Sequence, residues 1–248
     1  MRYLLKMMYD GTRYGGYQRQ ANADTVGERL LTALQTLFGQ VEHMAGCSRT
    51  DSGVHALMFC VSFDAAQERD SQAVVRALNA LLPDDICVTG CQRVADDFHA
   101  RYSCRGKQYL YQIRDSALRN PFYDRYALTV PHALDIQRLN QIVLPIIGTH
   151  DFTSFMASGS KITDCVRTVT RAEFAREGEL IRFRICADGF LYHMVRIIVG
   201  TVLDIAEGRL AADIANILEA KDRSAAGRTI AAHGLFLEKV FYAQQTDM

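Results

Sequence analysis

The first hundred residues place their structural signals in the order strand, helix, two strands, helix, strand, and that order leaves few folds open. Arg2 to Tyr9 reads as a strand, and Asp10-Gly11-Thr12 with Gly15-Gly16 reads as a turn and loop. Thr25 and Glu28 form a capping box. Val26, Leu30, Leu31, Leu34, Leu37 and Phe38 supply a helical apolar stripe that Gly39 stops. Val41 to Cys47 reads as a short strand, Ser48 to His55 as a polar loop, and the residues on to Phe63 as another strand. Ser71 caps a second helix carrying Val74, Val75, Leu78 and Leu81, which Pro83 ends, and a strand from Ile86 to Val94 follows. This is the split βαβ, ferredoxin-like unit, an antiparallel sheet with both helices packed on one face.

From Arg105 the pattern recurs more loosely. A strand is expected over Lys107 to Arg114, a helix from about Asp135 to Ile147, and strands near Val166 to Ala175 and Leu180 to Ala187. Helices over Phe190 to Ala206 and Ala211 to Ala220 and a strand from Gly234 to Tyr242 complete it. The expected fold is therefore α+β, with two ferredoxin-like halves at 1–105 and 106–248 whose antiparallel sheets flank a central cleft. No low-complexity linker separates the halves, which argues for a rigid pair.

Composition excludes several classes. The 248 residues are 49% hydrophobic and 23% charged, as in ordinary globular chains, and 28 Lys+Arg balance 28 Asp+Glu. A uniformly basic nucleic-acid binder is excluded, although a local patch is not. Only five of the positive residues are lysines, so 23 are arginines, the side chain suited to bidentate phosphate contacts. Seven cysteines, odd in number and without a CxxC pair, fit neither a disulfide framework nor a zinc site and read as reduced thiols. No metal is expected. The N-terminus is broken by charge after a few apolar residues, and no run approaches the roughly 18 of a membrane span. A cytoplasmic protein without a membrane partner is expected.

Three segments carry chemistry. The loop Gly46-Cys47-Ser48-Arg49-Thr50-Asp51-Ser52-Gly53-Val54-His55 sets Arg, Asp and His between two strands. On spacing alone Asp51 is an ordinary turn cap, with nucleophile or general base as the functional alternatives, and His55 is a satisfied loop histidine. In the second segment, Arg196 stands on an apolar helix among Met194, Val195, Ile197, Ile198 and Val199. There it needs an anion, for which Asp51 is a candidate, unless it reaches solvent or pairs with Asp188. The third segment, His99 to Arg114, joins basic side chains with Tyr109 and Tyr111 on one face of a strand. That pattern suits RNA binding or plain core packing. Neither GxGxxG after a strand nor GxxxxGK[ST] is present, so no nucleotide cofactor is expected.

Together these segments resemble the TruA-type tRNA pseudouridine synthases. The likeness runs through Tyr9-Asp10-Gly11-Thr12-Arg13-Tyr14, Arg49-Thr50-Asp51-Ser52-Gly53-Val54-His55-Ala56, Asn79-Ala80-Leu81-Leu82-Pro83 and Phe98-His99-Ala100-Arg101. It continues at Lys107-Gln108-Tyr109-Leu110-Tyr111, Gly148 to Phe155, Gly189 to Arg196 and Ala220-Lys221-Asp222-Arg223. The resemblance implies the pseudouridine synthase fold and a cofactor-free isomerase that converts uridine to pseudouridine at tRNA positions 38, 39 and 40 in the anticodon stem-loop, working as a homodimer. It also implies that Asp51 is the essential carboxylate, that Tyr109 stacks on the target base, that Arg196 pairs with the aspartate and that Arg49 helps evict the nucleotide. Where the family usually has glycine this chain has Ser48, a side chain added at a tight turn with no catalytic group removed. Arg13, Arg19, Arg101, Arg105 and Lys107 are the expected contacts to tRNA. The competing reading is a non-catalytic RNA-binding or tRNA-folding protein on the same scaffold, for which an isolated carboxylate beside phosphates would be a liability.

Overall fold

In a computed structural model, residues 1–160 and 162–243 are described. They divide into two compact units, Met1–Arg105 with the segment from Phe236 onward, and Gly106–Leu235.

The first unit opens with β1 (Arg2–Tyr9), α1 (Val26–Phe38), β2 (Val41–Gly46), β3 (His55–Ala65), α2 (Ser71–Leu81) and β4 (Ile86–Val94). Its strands lie in the order β4, β1, β3, with β2 on β3, all antiparallel. This is the ferredoxin-like arrangement that the element order demands. The capping box at α1 forms by half. Thr25 accepts from the Glu28 amide at 3.3 Å, but the Glu28 carboxylate turns away to pair with Arg19. Gly39 ends the helix at φ 76. The cap of α2 is Asp70 rather than Ser71, because the carboxylate accepts from the Ala73 amide at 2.8 Å and so satisfies one of the first-turn donors. Both helices pack side by side over a core of Leu5, Met7, Leu30, Leu34, Phe59, Phe63, Val74 and Leu78, each at most 1% exposed, while Leu4 is buried on the other face of β1. Burial of each such side chain contributes roughly 1.5 to 3 kcal/mol.

The last strand, β10 (Leu235–Tyr242), runs parallel to β3, with Phe236 opposite His55 and Leu237 opposite Ala56. Residues from Phe236 therefore belong with the first unit and not with the second half of the chain, where the sequence order had placed them. A closing strand is drawn to the edge that still offers unpaired backbone groups, and the length of β3 left one beyond β2.

The second unit holds β5 (Cys104–Asp115), β6 (Leu128–Val130), α3 (Ile136–Val143), β7 (Gly148–Asp151), β8 (Val166–Glu177), β9 (Leu180–Ala187), α4 (Met194–Ala206) and α5 (Ile214–Ala220). Its sheet order is β5, β9, β8, β7, antiparallel throughout, with β6 added in parallel to the end of β5. Three helices are shorter than their apolar patterns suggest. Pro145 converts the end of α3 into a single tight turn over Leu144–Ile146. Residues 189–193 stay outside α4, with His193 in the left-handed region at φ 60. Asp213 caps α5 by accepting from the Asn216 amide, so Ala211 and Ala212 precede the helix.

Candidate active site

The polar loop between β2 and β3 is built backbone against backbone. Asp51 to Val54 make a turn closed by the Val54 amide on the Asp51 carbonyl at 3.2 Å, and Gly53 takes φ 77. Across from it lies the segment from Tyr9 to Tyr17. The Tyr17 amide donates to the Thr50 carbonyl at 3.3 Å, the Gly53 amide to the Tyr14 carbonyl at 3.3 Å, and the Ser52 hydroxyl to that same carbonyl at 3.3 Å. At the bottom, the Tyr9 and Thr50 hydroxyls meet at 2.8 Å with both residues buried. Two glycines make the approach possible. A Cβ on Gly11 would sit 2.0 Å from the Val54 carbonyl oxygen, and one on Gly16, which is at φ 96, would sit 2.2 Å from that of Thr50. Asp51 is thus half-buried on a loop with little freedom, while Arg49, two residues before it, is exposed.

Ser48 does not bend this loop. Among the described residues only His43, His193 and Lys221 are non-glycines at positive φ, so the position that the family fills with glycine here takes an ordinary backbone conformation.

His55 is 1% exposed. Its Nδ1 lies 3.0 Å from both the Gly11 amide and the Asp10 carboxylate. The ring is thereby tied to both residues of the Asp10-Gly11 turn. The ring stacks on Phe236 with centroids 4.6 Å apart. His55 is therefore an anchor between the Asp10-Gly11 turn and β3, which agrees with reading it as a satisfied histidine. Tyr14 fixes the other end of the clamp by donating to Asp85 at 2.5 Å. Burial and the neighbouring Asp85 push its phenol pKa upward, so it remains a donor at neutral pH. No spacing in the sequence singles out Tyr9 and Tyr14 as supports of the Asp51 loop; they enter only as the ends of the block Tyr9 to Tyr14 that carries the family resemblance.

In the second unit Tyr109 is 6% exposed and meets Phe190 edge-on, centroids 4.9 Å apart at 79°. Tyr111, on the same face, is a core residue whose hydroxyl donates to the Ala231 carbonyl at 2.8 Å. Arg196, on the first turn of α4, donates Nε to the Ile230 carbonyl at 2.8 Å. That carbonyl is delivered by a strap over residues 226–230 tied to α4. The Gly227 amide donates to Thr201 at 2.9 Å and the Arg228 amide to Asp204 at 3.1 Å, and a Cβ on Gly200 would lie 2.0 Å from the Arg228 carbonyl oxygen. Asp188, the other carboxylate that the sequence offers to Arg196, takes the Thr168 amide at 3.0 Å.

The five cations expected on an RNA path differ in their surroundings. Arg13 pairs with Asp85 at 3.4 Å and Arg19 with Glu28, both on the surface. Arg101 and Arg105 are exposed and Lys107 is half-buried on β5. Among the described residues no cluster of three His, Cys, Asp or Glu side chains is placed to hold a metal ion, and no helix is long and apolar enough to cross a membrane. Four of the seven cysteines are buried, and desolvation pushes the Cys60 thiol up to about 11.

The chain thus joins a ferredoxin-like unit, with one clamped carboxylate and an exposed arginine on the same loop, to a second α+β unit. Comparison with known proteins supplies the particular family. The family described as tRNA pseudouridine synthase matches residues 6–103 and 144–243. A tRNA pseudouridine synthase A of Exiguobacterium sp. is 43% identical over 96% of this chain and 96% of its own length. Relatives of the same name from Acetivibrio thermocellus and Geobacillus kaustophilus are 42% and 44% identical, over 94% and 96% of this chain and 96% and 93% of theirs. The chain belongs to the tRNA pseudouridine synthase family. Arg49, Asp51 and Arg196 fall inside the matched spans, and Tyr109 falls between them.

Proposed function

We propose that this protein is an isomerase that converts uridine to pseudouridine in the anticodon stem-loop of tRNA, at positions 38, 39 and 40, with Asp51 as the catalytic carboxylate. The reaction breaks the N1–C1′ bond, turns the uracil and rejoins it through C5. The hydrogen on C5 leaves as a proton and N1 gains one, so electrons balance without a redox partner or nucleotide cofactor. Asp51 serves either by attack on the sugar or base, or by removing the C2′ proton to give a glycal. Its target must first leave the stack, at a cost of a few kcal/mol. We assign Arg49 to that eviction, Tyr109 to stacking on the displaced base, and Arg196 the counter-charge that the family resemblance gives it. Arg13, Arg19, Arg101, Arg105 and Lys107 are the proposed contacts to the RNA backbone, and a cytoplasmic homodimer is the proposed working form.

The observation that carries this reading is the clamp. Four hydrogen bonds from residues 9–17 hold the Asp51 loop, and Gly11 and Gly16 lie against its backbone where no side chain fits, in a family-matched segment. A turn cap has no need of such support, whereas a group that must meet a reacting atom does. The test is release of tritium from tRNA labelled at uridine C5. Wild type is expected to release label into water, one equivalent per uridine converted. Asp51→Ala is expected to lose that release by at least about a thousandfold while retaining tRNA binding. Equal release by both proteins would sink the assignment, and failure of wild type to release label from bound tRNA would favour a folding or binding role.

A further inference from the structure

Residues 98–103, between β4 and β5, form a turn whose stiffness contrasts with what it exposes. The Phe98 carbonyl accepts from Arg2 at 3.0 Å, the Ala100 amide donates to Ser62 at 3.0 Å, and the Tyr242 hydroxyl donates to the Ala100 carbonyl at 2.8 Å. Within the turn, Ser103 and His99 exchange two bonds, amide to carbonyl at 2.9 Å and hydroxyl from amide at 3.0 Å. His99 Nδ1 then accepts the amides of Arg101 and Tyr102 at 3.1 and 3.3 Å. Burial, reinforced by Arg2 and Arg101, holds the His99 pKa below the usual histidine value, so the ring stays neutral and able to accept. On this fixed base Tyr102 is 78% exposed, its ring 4.3 Å from that of His99 and 6.0 Å from the Arg101 guanidinium.

A large aromatic ring held in water by an ordered turn gains nothing for the fold. It offers a π-face, with cations close by. Arg101 flanks the ring, Arg105 is exposed three residues on, and among the described residues neither has a carboxylate at ion-pair distance. The carboxylates upstream, Asp96 and Asp97, bear on Arg2 instead. Aromatic rings in a cationic setting bind single-stranded bases by stacking, without regard to sequence. We propose that Tyr102 is a stacking platform for an unpaired base of the RNA substrate, with Arg101 and Arg105 holding the flanking phosphates. The platform stands on the β4–β5 turn rather than on the β2–β3 loop of Asp51, and it rests on the reading of this protein as an RNA-modifying enzyme.

The test compares Kd for unmodified tRNA among Tyr102 variants of the full chain. Tyr102→Leu keeps apolar bulk but has no π-face and is expected to bind about tenfold more weakly, within the range for loss of one stacked base. Tyr102→Phe and Tyr102→Trp are expected to stay within about twofold of wild type, and melting temperatures should not move. Replacing tRNA nucleotides one at a time by abasic sites should reveal a position where wild type and Tyr102→Leu bind alike. Leucine binding as well as tyrosine overturns the proposal, as does a parallel loss of affinity and melting temperature in all variants. A change in sedimentation without a change in tRNA affinity would mark the ring as a protein contact and overturn it too. Tritium release by wild type separates the two readings. Release with an unchanged Tyr102→Leu Kd fails the platform alone, and no release with a weakened Kd fails the isomerase reading alone.

Discussion

Thr50 has its side chain in the core and its backbone at the edge of the site, one residue before Asp51, and its hydroxyl meets that of Tyr9 at 2.8 Å. Tyr9→Phe would leave that hydroxyl buried without its partner, a cost of about 1 to 3 kcal/mol. Denaturant melts should show this loss, and Tyr9→Phe combined with Thr50→Val should recover most of it, because the pair then becomes apolar on both sides. Turnover should fall about tenfold or more in Tyr9→Phe, since small displacements of a reacting group are costly. Recovery of stability without recovery of rate in the double variant would show that the hydroxyl pair positions the loop as well as filling space. Single residues were unevenly legible. Arg196 stands out as a charge on an apolar helix, whereas Asp51 reads on spacing alone as a turn cap and takes its role only from the family resemblance, and Tyr9 looks like any other strand residue until its hydroxyl is located. His55 read correctly as satisfied, but its partner Phe236 lies 181 positions away, and no local pattern encodes such a distance.

At the scale of elements, strands were easier to read than helix ends. β1 and β4 keep the bounds expected of them, and β5 runs past its pattern at both ends. Helix starts depend on which side chain captures the first amides, as Asp70 and Asp213 do, and the apolar stripe is silent on that choice. β6 and β7 are too short to announce themselves by alternation; pairing with β5 and β8 makes them strands. Pairing through side chains also sets the acid response of the second unit. Asp115, at the end of β5, accepts two bonds from Arg176 on β8 at 2.8 and 2.6 Å and the Leu134 amide at 3.0 Å. The Arg176 hydrogen bonds, more than any other cause, hold its carboxyl below the ordinary aspartate value. Folding therefore favours the ionised form. The stabilisation is complete above the unfolded pKa of about 3.9 and is lost as pH falls through the lower folded value. The stability gap between wild type and Asp115→Asn should be constant near neutral pH and shrink on going from about pH 5 to pH 2. A gap that widens in acid would refute the pairing as the cause.

For the whole molecule, a net charge of zero is reconciled with an anionic substrate by local neutralisation. In the second unit Arg114, Arg171, Arg176, Arg182 and Arg184 each meet a carboxylate of their own unit, so those charges offer little to a distant polyanion. Arginine abundance therefore overstates the RNA-binding surface, and counting cannot distinguish Arg101 from Arg184. Chain connectivity has an equally global effect. Phe236, Leu237 and Val240 are at most 7% exposed, and Tyr242 reaches back to Ala100. A chain ending at Leu235 should lose roughly 5 kcal/mol of apolar burial, comparable to the whole stability of a small domain. Hydrogen exchange should then show β3 deprotected while β8 and β9 remain slow. Full protection of β3 in the truncated chain would refute this. The parallel seat of β10 beside His55 has a further consequence in time. On the ribosome, the first unit must wait for all of the second to be synthesised before Phe236 can close against it. A chain stalled within the second unit therefore lacks the Phe236 ring that stacks on His55, and the Asp51 loop gains that support only after Gly106–Leu235 has been made.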